Sequence, residues 1–236
     1  MKKRHLVPVV AALAGALAVP AAVAAPAASG ASSASSASSA SRTQASAVAA
    51  AAPTGTTSLA DVLLADGNQF DGNWYDYDIV TEAVLAVLAA KPDSPVGLLT
   101  QGDVPLTAFI PNDRAFQVLA ADLTGRWYGS ETKVFEALAG AVGIDALEQV
   151  LLYHVVPGGP VTSSQALRSD GAMLATALPG KSIKVDVLSR WLKLVRLVDG
   201  DRNDADPLLN PRALDINKGN RQIAHGIVLV LRPADL

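Results

Sequence analysis

The chain is expected to fold as an α+β domain, and three observations lead there. Apolar residues at helical spacing, such as Ile79, Val80, Ala83, Val84, Val87 and Leu88, fall before Tyr153. Segments of strand character gather after it, and Ile183-Lys184-Val185-Asp186-Val187 alternates apolar and polar side chains residue by residue. Between them lies Leu151-Leu152-Tyr153-His154-Val155-Val156-Pro157-Gly158, an aliphatic run that carries an adjacent Tyr and His. Helices first and strands later is the order of α+β rather than of a regular βαβ repeat.

In chain order, residues 1–24 read as a secretory signal peptide. Lys2, Lys3 and Arg4 form a basic start, Leu6 to Val19 is apolar, and Ala22-Val23-Ala24 is a small-x-small cleavage site. Pro8 and Pro20 bound a short apolar run, which argues against a membrane anchor and for no membrane insertion after cleavage. Residues 25–57 are rich in Ala and Ser, with Pro26 and Pro53, and have almost nothing large to bury. They are expected to be a flexible linker. The folded domain is expected at 58–236.

Within that domain, Ser58 is a candidate N-cap for a helix over Leu59–Ala65, and Asp66 to Asp78 reads as a polar loop. Asp78 is expected to cap the next helix, which Lys91-Pro92 stops. Leu106–Ile110 reads as a strand, with Asn112 capping a helix from Asp113 to Leu119. Two more helices are expected, Glu131–Leu138 and Asp145–Leu152, the second opened by Asp145 and Glu148 at capping-box spacing. The strands Met173–Leu178, Ile183–Val187, Trp191–Val198, Leu214–Asn217 and Ile223–Leu231 follow.

Composition narrows the function. The absence of cysteine excludes disulfides, thiolate nucleophiles and zinc–thiolate sites. The formal charge is −3, and loss of residues 1–24 would remove three basic residues and no acidic ones. An acidic surface disfavours nucleic acid and anionic membrane as partners. Only His154 and His225 remain after the signal peptide, and no Gly-x-Ser-x-Gly elbow accompanies them. No catalytic residue, cofactor site or metal site is therefore assigned. Asp199, Asp201 and Asn203 have the spacing of the first EF-hand ligands, but Asp204 stands where that loop needs Gly and Asn210 where it needs Glu. Asp199–Asp206 is read as a solvated hairpin loop instead. Trp74-Tyr75 and Trp127-Tyr128 lie in predicted loops beside glycines, where aromatics serve either as lids on the core or as contacts for a partner.

Three segments in order carry a resemblance. Thr107-Ala108-Phe109-Ile110-Pro111-Asn112-Asp113-Arg114-Ala115-Phe116 is similar to the first motif of fasciclin-like (FAS1) domains, and Leu152 to Gly158 to their central motif. Ile223-Ala224-His225-Gly226-Ile227 with Val230 to Pro233 resembles their closing strand. The closing motif departs at Val228, where the family usually has Asp, and by an extra residue near Asn217 to Asn220. The resemblance implies a FAS1 fold, a β-sheet wedge with helices packed along one side. It implies a binding module for cell adhesion or surface association, with a cell-surface or matrix protein or a glycan as partner, and no enzyme. In animal matrix relatives, Tyr-His and Asp-Ile motifs are proposed integrin contacts, which here are Tyr153, His154, Asp215 and Ile216. An export signal of bacterial type argues against an integrin. The expected protein is thus a secreted bacterial fasciclin-like module, with an exported Ser/His hydrolase or a structural envelope protein as rivals.

Overall fold

The structure is a computed structural model, and it describes residues 55–65 and 67–235. The expected signal peptide and nearly all of the expected linker lie outside the described residues. The elements are α1 (Leu59–Leu64), α2 (Asp78–Ala90), a 3-10 helix (Pro95–Thr100), β1 (Leu106–Pro111), α3 (Asp113–Thr124), α4 (Glu131–Tyr153) and β2 (Val155–Pro157). Then come α5 (Ser163–Ala166), β3 (Met173–Ala175), β4 (Ser182–Ser189), β5 (Leu194–Val198) and β6 (Gln222–Ile227). The fold is α+β, as the distribution of periodicities predicts.

Two three-stranded sheets form, in the orders β2-β1-β6 and β3-β4-β5. β1 runs antiparallel to β2 and parallel to β6, with Phe109 opposite His225. Both β1 and β6 are buried along their whole length. That follows from their position, because alternate residues of β1 serve two cores. Leu106, Ala108 and Ile110 pack with the helices in one core. Phe109 packs with Tyr153, Ile183, Val185, Val195 and Leu197 in the other, beneath the second sheet. Gly226 in β6 permits a close approach, since a Cβ there would lie 2.5 Å from Tyr77 Oη and 2.7 Å from Ala213 Cβ.

The two helices expected at Glu131–Leu138 and Asp145–Leu152 both form within α4, on either side of Gly143, which breaks the helix with φ 72° and ψ 171°. Several local expectations change. Glu148 binds Lys91 Nζ at 2.6 Å and also accepts from the Ser94 hydroxyl, rather than serving a capping box. Asp78 is the first helical residue of α2, and Tyr77 occupies the cap position. The strand expected from Trp191 begins only at Leu194, because Lys193 turns with φ 53°. The strand expected at Leu214–Asn217 is a turn, since Asp215 and Asn217 adopt φ of 57° and 64°. Only Ile216 of that stretch bridges to Ala224.

Candidate functional site

The start of α3 is where separate loops meet. Asn112 ends β1 in extended conformation, and its side chain accepts from Ala115 N at 3.0 Å, the N-cap expected for this turn. The next two residues reach outward through their main chain. Asp113 N donates to Asp76 O at 3.1 Å, and Arg114 N donates to Trp74 O at 2.9 Å. The loop before α2 is also held at its other end, where Gly72 N donates to Glu131 Oε2 at 3.0 Å. Asp71 and Asn73 side chains each accept from the main chain two residues on. Loop 71–77 is thus fixed to the first turns of both α3 and α4.

These anchors present the aromatics. Tyr75 is 77% exposed, whereas Trp74 packs partly against the helical core. On the other side of Arg114, its guanidinium lies 4.6 Å from the Trp127 ring centre. Gln117 accepts from Arg114 Nη1 and donates to Tyr128 O at 2.6 Å. Trp127 remains 54% exposed, while Tyr128 packs against the core. Each expected aromatic pair therefore divides into one anchor, Trp74 or Tyr128, and one exposed ring, Tyr75 or Trp127. Arg114 touches both loops.

Beneath this surface lies an acidic group that the sequence reading does not single out. Asp76, Asp113 and Glu131 each bring an oxygen to within 4.8 Å of the others. Asp113 and Glu131 are buried, at 0% and 2% exposure, and Asp76 is half-buried. Burial, together with neighbouring Asp76, pushes the Asp113 carboxyl up to about 8. Burial likewise raises Glu131. The three residues come from a loop and two helix starts far apart in the chain, so no spacing signal marks them.

The other expected contact residues lie elsewhere. Tyr153 is fully buried, and its hydroxyl donates to Ser182 O at 3.0 Å, tying the end of α4 to β4. Its pKa is pushed up to about 12, chiefly by burial. His154 is 5% exposed; Nδ1 faces Val150 O at 2.7 Å, and Nε2 accepts from Leu231 N at 3.0 Å. Burial lowers its pKa to about 4. Both side chains are buried, in keeping with the apolar run that carries them, and neither is presented to a ligand at the surface. His225 uses both ring nitrogens on main chain too, with Nε2 against Val161 O at 2.8 Å and Nδ1 accepting from Asp215 N at 3.2 Å. Asp215 accepts from Ser163 N and from Ser163 Oγ, at 2.6 and 2.8 Å. Burial acts to raise Asp215, but these bonds and Lys218 outweigh it and hold the carboxyl below its usual range. Ile216 is half-buried and packs against the helical core. Tyr153, His154, Asp215 and Ile216 are engaged within the fold and do not join the aromatic surface.

The Asp199–Asp206 run is not the solvated hairpin loop expected. Arg232 reaches into it, placing Nε 3.1 Å from Asp204 Oδ2 and Nη1 3.5 Å from Asp201 Oδ2, with Nη2 2.7 Å from Asp122 Oδ2. Its main-chain N–H donates to Asp199 Oδ2 at 2.8 Å. The loop is folded around a buried cation of the protein itself. A second exposed apolar site, also missed, is the β4–β5 turn, where Leu188, Trp191 and Leu192 are exposed, Trp191 by 88%.

The family model of the fasciclin domain matches residues 83–205, more than half of the chain. The chain belongs to the fasciclin family. The matched stretch holds Asp113, Arg114, Trp127, Glu131, Tyr153 and His154, while loop 71–77, β6 and Arg232 lie outside it. Among solved structures, a FAS1 domain pair from the insect cell adhesion molecule Fasciclin I is similar to this chain, at 17% identity and a TM-score of 0.46. The similarity covers 65% of this chain, and this chain spans 46% of that pair. No curated protein matches. Fasciclin domains are in general adhesion or binding modules of extracellular or surface proteins. Among the described residues, no helix is long and apolar enough to cross a membrane.

Proposed function

We propose that this fasciclin domain is a secreted binding module rather than an enzyme, and that its contact surface is the Tyr75–Arg114–Trp127 ridge. The observation that carries this is the exposure of two aromatic rings on anchored loops, one tied by main-chain bonds to the start of α3 and the other by the Gln117 side chain. Rigid, exposed aromatics supply large contact area at low entropic cost. The partner is a glycan or protein of a cell surface or matrix, met by ring stacking and by the Arg114 charge. The hydrolase reading finds less support. Both histidines spend both ring nitrogens on main-chain groups, which leaves no nitrogen to take a proton from a nucleophile.

A glycan array and a surface pull-down with the mature domain test this, comparing Tyr75→Ala and Trp127→Ala with Trp191→Ala. The expected result is that the first two variants keep their melting temperature and lose binding, while the third binds normally. Loss in Trp191→Ala alone would move the surface to the β4–β5 turn. Turnover of an ester or glycoside that His154→Ala or His225→Ala abolishes without unfolding would replace binding by catalysis.

A further inference from the structure

Asp113 and Glu131 each commit one carboxylate oxygen to the main chain. Asp113 Oδ1 accepts from Ile79 N at 2.9 Å, and Glu131 Oε2 accepts from Gly72 N at 3.0 Å. The second oxygens, Asp113 Oδ2 and Glu131 Oε1, are buried with no hydrogen-bond partner, and so is Asp76 Oδ1. Among the described residues, no Lys, Arg or His pairs with any of the three carboxylates. Nearly dry carboxylate oxygens without a partner are costly, and natural structures neutralise them. A shared proton would satisfy one pair of oxygens and leave the third unpaired. A cation at the centre satisfies all three together.

We propose that Asp76, Asp113 and Glu131 form a site for a hard divalent cation, calcium by preference. The donors are oxygen only, which suits calcium, magnesium or manganese rather than zinc or copper. Oxygens that lie within 4.8 Å of one another can share one ion at about 2.4 Å, and calcium accepts flexible coordination geometry where magnesium demands a near-ideal octahedron. Half-buried Asp76 leaves an opening for entry and for the waters that complete the coordination. The other oxygens, Asp113 Oδ1 and Glu131 Oε2, held by main-chain N–H groups, orient both ligands in advance. Bound there, the ion joins loop 71–77 to the first turns of α3 and α4, beneath Tyr75. The site stands on its own residues; only its effect on presenting Tyr75 rests on the binding role proposed above.

The test is a thermal melt of the purified chain, stripped with chelator and then titrated with calcium to about 10 mM, above the affinities usual for extracellular sites. Terbium luminescence excited through tryptophan is followed in parallel. The melting temperature should rise by several degrees once calcium exceeds its Kd about a hundredfold. Terbium should be sensitised and then displaced by calcium. Asp113→Asn and Glu131→Gln, each confirmed as folded by its own cooperative melt, should lose both responses, and Asp204→Asn in the Arg232 loop should keep them. No rise and no luminescence in the unmodified chain would overturn the proposal, as would responses that persist in the Asp113→Asn, Glu131→Gln double variant. Calcium binding can be present or absent whatever the ridge binds, so the two proposals fail separately.

Discussion

Two acidic clusters among the described residues are neutralised in different ways. Around Arg232, the carboxylates of Asp122, Asp201 and Asp204 meet a guanidinium from the end of the chain. Around Asp113, three carboxylates converge with no basic side chain among them. The first cluster is a closed device, in which the fold carries its own counterion. The second is complete only when charge arrives from outside, as a proton or a metal ion. Counting acidic residues along the chain points to the first, because Asp199 to Asp206 is the denser run. The geometry points to the second.

The comparison can be broken most directly at Arg232. Arg232→Ala removes the counterion and leaves buried Asp201 uncompensated, so stability in urea unfolding should fall by about 3–5 kcal/mol. Nearly as large is an effect of acid on the closed cluster through His154, whose Nε2 holds Leu231 N, one residue before Arg232. The folded pKa of about 4 lies below the unfolded 6.5, so this contribution is complete above pH 6.5 and is lost as pH falls from there through 4. The loss should be on the order of 3 kcal/mol, and His154→Gln should flatten that limb of the pH profile. Burial raises Asp199 to about 6, so its contribution runs the other way, declining as pH rises through 6, and Asp199→Asn should steepen the acid limb.

A smaller but sharper contrast comes from one substitution made in both clusters. In the presence of chelator, Asp113→Asn should stabilise by about 1 kcal/mol, because burial makes the ionised carboxylate costly and an amide has no charge to neutralise on folding. Asp201→Asn should destabilise by about 1–2 kcal/mol, because it removes one of the charges paired with the buried Arg232 guanidinium. Equal signs in thermal or urea unfolding would show that the clusters do not differ as described. Least of all, Tyr75→Ala and Trp127→Ala should change stability by under about 1 kcal/mol, the worth of an exposed ring and its cation–π contact, whatever they do to binding.

Much of the fold was legible because local chemistry and packing agree. Ser58 and Asn112 cap the helices they were expected to cap, and the alternation at Ile183–Val187 marks a strand with Ile183 and Val185 buried. Misreadings gathered where a residue adopts a left-handed conformation that composition does not announce, as at Lys193, Asp215 and Asn217. Trp191 reads as a strand residue because Trp favours strands, yet it sits on a turn and faces solvent. The site was legible only in part. The aromatic loops could be named from their residues, but not which ring of each pair is an anchor. The Asp76–Asp113–Glu131 cluster could not be named at all, because helix starts far apart in sequence bring it together.

Gln222 shows how this fold would carry a mechanical load. Its buried side chain accepts from Leu59 N at 2.8 Å and donates to Leu98 O and Gln101 O, both at 2.8 Å. Just ahead of it, Gly55 exchanges main-chain bonds with Gly219 and Arg221. A pull on the chain ahead of residue 55 would be met first by those two bonds and then by this amide. Because the amide also grips the segment leading into β1, force would pass from one side chain into the central sheet rather than peeling α1 away alone. Gln222 is in that sense a rivet, and tension would have to shear it before reaching the surface that bears Tyr75 and Trp127.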